Sequence, residues 1–595
     1  MIVKMTKYAF LVHDKEFESF LRDIQEIGVL DITQEKTALS NEEKELLELR
    51  NRMNAVYKAL TLRKVEDVEN SLDAMSILLR YEEIAKENEL LDNQLRKLGK
   101  ELVELQPWGD FDPTQIEELA SLKGISLRYF TVPSKKYQDE WELQYPLYKV
   151  NEDMGQTYFV LVSEGSSASF NLSANEVRVP QKSLSKLKES IDELTSRKKE
   201  LTNELDELAK GRGALTRYTN ELSDKLSFGS ILSRTKREVG GSVALMFGFA
   251  PANAVDELNA YLSANSAIYI AEDAKEEDNP PIKLKNNSFA KLFEPIGELY
   301  IPPKYSELDL TPLFAPFFML FFGLCMNDIG YGIVFVVAGF ILRAIPKFAS
   351  FKPYILLVQW LGLGTILMGF ISGSIFGTEM REWEILPENI RHLFLNTDNM
   401  MIFAVLIGFV QIIFGLVVKA INRARQHGWV AGIGPFGWIF ILGGLAMLAL
   451  PQTKGIALYT VYVGIGIILF FGHPHGNIFG RLGMGLVELY EITGFFGDLL
   501  SYIRLFALGI AGAILGMVVN KIASLAIGTL PYGIDYVIFG IIIVLGHTAN
   551  IALSSLGSFV HPMRLTFVEF YKNSGFSGGG KFYAPFKKSN KTQEN

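Results

Sequence analysis

The sequence predicts cytoplasmic α/β lobes joined by a long antiparallel coiled-coil hairpin, followed by an all-α polytopic membrane domain with about eight transmembrane helices. Three observations carry this. Residues 1–300 are charged and hold no long apolar run. Residues 311–570 hold runs of about 20 apolar residues, the length that crosses about 30 Å of hydrocarbon. Leucine-rich heptads recur in two blocks of the first half, the signature of coiled-coil helices.

The opening, M-I-V-K-M-T-K-Y-A-F-L-V-H-D, has too short an apolar core for a signal peptide, so the first half is expected in the cytoplasm. Tyr8 to Val12 reads as a strand, Glu16 to Ile27 as an amphipathic helix and Val29 to Ile32 as a second strand. These begin a proximal lobe, assigned to 1–40 and 229–300. The first coiled-coil arm covers about 41–105. Its seam runs Leu46, Leu49, Met53, Val56, Leu60, then after a gap Ile77, Tyr81, Ile84, Asn88, Leu91, Leu95, Leu98, Leu102 and Leu105. A distal lobe over about 106–181 holds the strand-like runs I-S-L-R-Y-F-T-V and T-Y-F-V-L-V-S. The second arm, about 182–228, resumes at Leu184, Leu187, Ile191, Leu194, Leu201, Leu205, Leu208 and Leu215, with Lys198 and Arg212 on its seam. The other reading of such heptads is a dimerisation zipper. Two arms in one chain with a lobe between them favour the hairpin.

The membrane domain is assigned to 301–575 and a cytoplasmic tail to 576–595. Eight apolar segments are expected, near 311–326, 328–346, 354–376, 400–420, 430–450, 457–472, 484–525 and 533–571. Lys and Arg cluster after segments two, four and eight, while the loop after segment three carries Glu379, Glu382, Glu384, Glu388 and Asp398 against Arg381 and Arg391. An even-loop excess of basic residues places both termini inside.

An arginine at the centre of a membrane helix costs at least about 2.5–3.5 kcal/mol, so Arg504 in S-Y-I-R-L-F-A-L is a functional candidate. No acid stands three or four residues from it. Ser501 shares its face, while Glu491 and Asp498 fall on a flank with Gly509, Gly512 and Gly516. In the last segment His547, Asn550, Ser554, Gly557, His561 and Arg564 are spaced 3-4-3-4-3 and form one polar stripe, with Glu569 beyond it. The stripe reads as a water-lined path, and the competing reading is polar bridging between helices. Asp328 reads as a turn or packing device. G-F-S-G-G-G-K-F (575–582) mimics a phosphate loop, but it lacks the Ser/Thr that holds magnesium and follows a helix, so no nucleotide site is assigned. His473-Pro474-His475 has no acid or cysteine nearby and reads as a loop. The single cysteine, Cys325, excludes an intrachain disulfide and a cysteine metal cluster, and a net charge of -8 argues against nucleic-acid binding. No cofactor and no metal are assigned.

The chain resembles the a-type, or I, subunit of V/A-type rotary ATPases. The resemblance rests on S-Y-I-R-L-F-A-L (501–508) and H-P-M-R-L-T-F-V-E-F (561–570). Support comes from F-F-G-L-C-M-N-D-I-G-Y-G (321–332), F-G-F-A-P (247–251) and Y-I-P-P-K-Y-S-E-L-D-L-T-P (300–312). It implies a non-catalytic stator subunit of a prokaryotic plasma membrane. Arg504 matches the family's essential membrane arginine and Arg564 its second arginine. Implied partners are a rotor ring with buried carboxylates, peripheral stalk subunits at the lobes and, indirectly, a catalytic ATPase head. Two departures stand out. Ser554 sits where eukaryotic members carry an acid, and Asp309-Leu310-Thr311 replaces the usual D-P-T. The rival function is a secondary transporter with a cytoplasmic regulatory domain, a class that often shows internal repeats. None is visible between segments one to four and five to eight. A coiled-coil scaffold with a membrane anchor leaves two mid-membrane arginines unexplained.

Overall fold

The computed structural model describes residues 1–589 except 34–37, 67, 69–71, 122–124, 165–172, 179–182, 266, 384–386, 389–393, 395–396, 449–450, 473–477 and 529–533. Glu384, Arg391 and the His473-Pro474-His475 loop therefore lie outside the described residues. In chain order the first half runs β1 (Met5–His13), α1 (Asp14–Ile27), β2 (Asp31–Ile32), α2 (Asn41–Thr61), α3 (Ala74–Leu105), β3 (Ile125–Pro133), β4 (Leu147–Asp153), β5 (Gln156–Glu164), β6 (Asn175–Val177), α4 (Leu184–Lys210), α5 (Arg212–Arg234), β7 (Lys236–Glu238), β8 (Val243–Pro251) and β9 (Ile268–Asp273). The second half runs α6 (Thr311–Met326), α7 (Ile329–Ala344), α8 (Lys352–Ser372), α9 (Thr397–His427), α10 (Gly434–Leu448), α11 (Lys454–Phe471), α12 (Ile478–Leu489), α13 (Ile492–Ala526) and α14 (Ile534–Arg564). The chain divides into two units, 1–33 with 236–586 and 34–235 with 587–595.

The second unit holds the heptads. Ser40 and Glu43 make a capping box that starts α2, and the Ser40 N–H bond holds the Glu43 carboxyl below the usual range. Apolar seam residues Met53, Leu60, Ile77, Leu201 and Leu215 are fully buried in one cluster. Arg80 pairs with Glu204 and Arg197 with Glu87, so partner numbers fall along α4 as they rise along α3 and the two helices are antiparallel. The gap in the heptads is a break between α2 and α3, and Gly211 divides α4 from α5. A Cβ there would stand 3.1 Å from Ile77 Cδ1. Both seam cations find partners: Lys198 pairs with Asp92, and Arg212 donates to the Val65 carbonyl at 2.8 Å. Beyond these helices lies an antiparallel sheet in the order β4-β5-β3-β6, packed on Phe130, Trp141 and Phe159.

In the first unit, the expected strand–helix–strand appears as β1, α1 and β2. The sheet order is β2-β8-β1-β9, with β7 on β8. The apolar face of α1 buries Phe17, Phe20, Leu21 and Ile24, and Gly28 closes the helix at φ 70°. Gly248 in β8 admits the Leu30 side chain, since a Cβ would lie 2.8 Å from Leu30 Cγ.

Residues 577–586 return to this lobe. Glu307 accepts from the backbone N–H groups of Ser577 at 2.7 Å and Gly578 at 3.2 Å. Gly579 and Gly580 N–H groups donate to the Pro302 carbonyl. A Cβ on Gly580 would meet Pro303 O at 2.0 Å, so only glycine fits. Phe582 then bridges Ile282 in parallel, Tyr583 Oη donates to Val29 O at 2.5 Å, Ala584 N–H to Asp31 at 2.8 Å and Phe586 N–H to Leu30 O at 2.8 Å. The amides that could cradle a phosphate are occupied by a carboxylate and a carbonyl.

All eight apolar segments fold as helices. Among the described residues five are long and apolar enough to cross a membrane by length and composition, namely Phe348–Ser372, Asp398–His427, Pro451–Phe471, Phe479–Ala526 and Ile534–Asn573. Thr311–Met326, Ile329–Ala344 and Gly434–Leu448 are shorter. Glycines bring these helices close, as small residues do in membranes. A Cβ on Gly323 of α6 would meet Gly364 O of α8 at 2.3 Å, and one on Gly464 of α11 would meet Gly437 O of α10 at 2.6 Å. The segment expected at 484–525 is divided, with Tyr490 and Glu491 separating α12 from α13.

Candidate functional site

The site is built on α13 and α14, which approach each other at glycines, since a Cβ on Gly546 of α14 would meet Val519 Cγ1 of α13 at 2.5 Å. Gly512 faces the Ser554 hydroxyl, where a Cβ would stand 3.1 Å away. A Cβ on Gly509 would stand 2.6 Å from Leu324 O of α6, and one on Gly516 would stand 2.9 Å from Gly377 Cα.

The upper stripe of α14 is closed by hydrogen bonds. Asn550, fully buried, donates through Nδ2 to Tyr331 Oη at 2.8 Å and to Gly512 O at 2.9 Å. Its Oδ1 accepts from Ser554 Oγ at 3.0 Å. His547 Nδ1 lies 2.8 Å from Tyr331 Oη, and Nε2 lies 3.0 Å from Asn520 Oδ1. Asn520 Nδ2 donates to Phe376 O, so its Oδ1 is the acceptor and His547 Nε2 carries the proton. Nδ1 then accepts from the Tyr331 hydroxyl. Donors and acceptors match along the whole chain of bonds, which ties α7, α13, α14 and the Phe376 loop together. Tyr331 is the hub. As an aromatic residue inside an apolar run it gave no functional signal in the sequence. Asp328 caps α7 through Tyr331 N–H and also accepts from Phe376 N–H at 2.9 Å and Gly377 N–H at 2.8 Å. The turn role expected for it is what the geometry gives.

The lower stripe differs. His561 Nδ1 and Glu569 Oε2 are buried with no hydrogen-bond partner among the described residues. Arg564 is exposed. Residues Leu565–Phe570 form a π-helical turn. On an α-helix Arg564 and Glu569 would lie about 140° apart. The i→i+5 pattern of a π-turn brings residues five apart toward one face. Glu569, only 2% exposed, thereby comes within electrostatic range of Arg564 and Asp498 and beside the Ser501 side chain.

Arg504 is half-buried and has no hydrogen bond or ion pair among the described residues. The nearest acids on its own helix are otherwise engaged. Asp498 is buried and accepts from Asn573 Nδ2 at 3.0 Å and Lys572 Nζ at 3.3 Å. Ser501 Oγ donates to Gly497 O at 3.1 Å. Glu491 is exposed and lines a cavity of about 550 Å³ with Lys419, Arg423, Lys572 and Asn573. The structure thus gathers Asp498, Ser501, Arg564 and Glu569 around the lower half of the helix pair, with Glu491 at the cavity. His547, Asn550 and Ser554 form a separate network.

No protein-family model matches the chain. It is 26% identical to V-type ATP synthase subunit I of Borreliella burgdorferi, over 93% of this chain and 98% of that one. The chain resembles V/A-type ATP synthase subunit I along nearly its whole length. The subunit I of Chlamydia trachomatis is 25% identical over 99% of both chains. A-type ATP synthase subunit I of Pyrococcus abyssi is 29% identical over 68% of this chain and 63% of its own length. A crystal structure of the cytoplasmic N-terminal domain of a V-ATPase subunit I, homolog of subunit a, aligns with 45% of this chain at 16% identity and a TM-score of 0.23, too low to carry an argument.

Proposed function

We propose that the chain is the non-catalytic stator subunit of a V/A-type rotary ATPase in a prokaryotic plasma membrane, forming the ion half-paths against a rotor ring. The observation that carries this reading is Arg504, a cation within an apolar helix that has no counter-charge among the described residues while nearby Asp498 is held by Lys572 and Asn573. A helix-bridging arginine would have a partner within the chain. This one is suited to a carboxylate supplied from outside it.

All eight apolar helices cross the bilayer in this reading, with both termini cytoplasmic and the polar end of the α13 run, Glu491 to Asp498, toward the cytoplasm. The antiparallel α2–α3 and α4–α5 helices form the coiled-coil hairpin, and the lobes hold the peripheral stalks that keep the catalytic head from turning. Each rotor carboxylate is neutral, protonated or ion-bound, while it faces lipid. Beside Arg504 the fixed positive charge favours the ionised carboxylate and lowers its pKa. The cation, H⁺ or Na⁺, leaves by one half-path and the emptied carboxylate is refilled from the other. A guanidinium suits the task because it stays charged in the membrane where an ammonium can lose its proton. Glu491, Asp498, Ser501, Glu569, Arg564 and His561 line the cytoplasmic side. His547, Asn550 and Ser554 hold the helix pair that presents Arg504. The test is ATP-driven ion uptake into vesicles by Arg504→Ala and Arg504→Lys complexes, with assembly measured on the same membranes. Near-normal pumping by an assembled Arg504→Ala complex defeats the reading.

A further inference from the structure

The cavity of about 550 Å³ lies where three elements meet: the last turns of α9, the joint between α12 and α13, and the segment that follows α14. Its lining brings Lys419, Arg423 and Lys572 together with Gln426, Tyr490 and Glu491. Lys419 and Arg423 stand four residues apart and share one face of α9. Two of the cations are answered within the chain. Arg423 approaches the buried Glu488 at 3.9 Å, and Lys572 reaches Asp498 at 3.3 Å. Lys419 is half-buried and makes no hydrogen bond or ion pair among the described residues. Gly575, at φ 67°, leaves room for its stem, since a Cβ there would stand 3.0 Å from Lys419 Cγ. Arg423 and Lys572 lie close enough to repel the Lys419 ammonium, while Glu488 is engaged by Arg423. Glu491 is exposed, so water screens its charge. Gln426 Nε2 is a second unmet donor, buried with no hydrogen-bond partner among the described residues.

A surplus cation and an unmet amide donor in one cavity suit an anion with more than one acceptor oxygen. One surplus charge asks for a single negative charge, and a phosphodiester carries one, spread over two free oxygens. The surroundings select its source. The cavity sits at the ends of two runs long and apolar enough to cross a membrane, Asp398–His427 and Phe479–Ala526. Tyr490 at the rim is 77% exposed, and Leu486 and Val487, one turn before it, are exposed as well. A tyrosine with an apolar body and a polar tip belongs at headgroup level. Basic pockets between membrane helices on the cytoplasmic side take anionic lipid headgroups. A free anion has no use for the apolar rim.

We infer that this cavity binds the phosphodiester headgroup of an anionic phospholipid of the cytoplasmic leaflet, with Lys419 as its counter-charge, Gln426 as a neutral donor and the acyl chains along Leu486, Val487 and Tyr490. This rests on the reading above, which turns this end of α9 toward the cytoplasm. A lipid so held ties α9 to the α12–α13 joint and braces the foot of the helix that carries Arg504.

The experiment places p-benzoylphenylalanine at Tyr490 of the assembled complex. The complex is reconstituted in vesicles of phosphatidylcholine with phosphatidylglycerol as the minor component, irradiated, and its lipid adducts are identified by mass spectrometry. Phosphatidylglycerol should appear in the adducts several-fold above its share of the bilayer. Lys419→Gln should erase that excess. Gln426→Glu, which puts a negative charge into the cavity, should do the same and stands in if Lys419→Gln does not assemble. Arg425→Gln removes an exposed cation of the same helix outside the lining and should keep the excess. Adducts that follow bilayer composition, or an excess that survives the cavity variants, overturn the proposal. So does an excess abolished by millimolar inorganic phosphate but not by chloride at equal ionic strength, which makes the cavity a free-anion site. The readout needs no pumping, so the two claims separate. A lipid excess with normal pumping by Arg504→Ala removes the stator reading, while composition-following adducts with a silent Arg504→Ala remove only the lipid.

Discussion

The two halves of the α14 stripe share one periodicity and have opposite chemistry. His547, Asn550 and Ser554 are matched donor to acceptor with Tyr331, Asn520 and Gly512. Among the described residues His561 Nδ1 and Glu569 Oε2 are buried without a hydrogen-bond partner, and Arg564 is exposed. A polar residue every third or fourth position shows only that a face is polar. Whether that face fastens helices or handles charge depends on whether its groups satisfy one another. A saturated network resists change, while unsatisfied buried groups stand where another molecule or a moving charge can meet them.

The largest expected effect falls on Arg504. Arg504→Ala and Arg504→Lys should both reduce coupled uptake to background in assembled complexes, the lysine failing because its point charge sits elsewhere and can deprotonate. Uptake near wild type in Arg504→Lys would make the arginine a structural cation. Next comes Glu569→Gln, which keeps shape and removes an ionisable carboxyl that lies among charged groups. Uptake should slow several-fold with no drop in the thermal unfolding midpoint of the complex. A lowered midpoint with unchanged uptake would place Glu569 with the fastening residues. Tyr331→Phe should do the reverse. It strips the hub hydroxyl, leaves His547 Nδ1 and an Asn550 N–H unmatched, and should cost about 1–3 kcal/mol of stability per orphaned group. Uptake per assembled complex should hold. If stability is unchanged, the network is not a tie.

The smallest effect concerns Asp31. Burial pushes its carboxyl above the ordinary carboxylate range, against the Ala584 N–H bond and Lys581, which pull it down. With the folded pKa raised, the docked form is favoured below the ordinary value of about 3.9 and loses ground as pH rises through the raised one. Asp31→Asn should therefore slow hydrogen exchange at Ala584 and Phe586 slightly at pH 7 and leave it unchanged near pH 3. Faster exchange at both would mean the charge itself holds the tail.

Much of this was legible in the chain. Apolar runs of membrane length announce their helices because lipid leaves the backbone no other partner than itself. The heptads gave the buried seams, and their gap between Leu60 and Ile77 marked the α2–α3 break. Arg504 was legible because charge in an apolar run is costly. The site's finer logic was not. Tyr331 meets His547 across 216 residues and sits in a sequence that reads as packing. The π-turn that swings Glu569 toward Arg564 has no signature in L-T-F-V-E-F. Lys419 reads as one of the basic residues after segment four, and its missing counter-charge shows only when every neighbour is in place.

The return of residues 577–586 to the lobe also sets an order of manufacture. The β2 segment leaves the ribosome well before α14, yet the hydrogen-bond partners that Tyr583, Ala584 and Phe586 bring to Val29, Asp31 and Leu30 emerge only after α14. The proximal sheet therefore waits, unfinished, through the synthesis of every membrane helix. A chain interrupted before α14 would carry an open lobe, its unfinished edge a mark of incomplete synthesis.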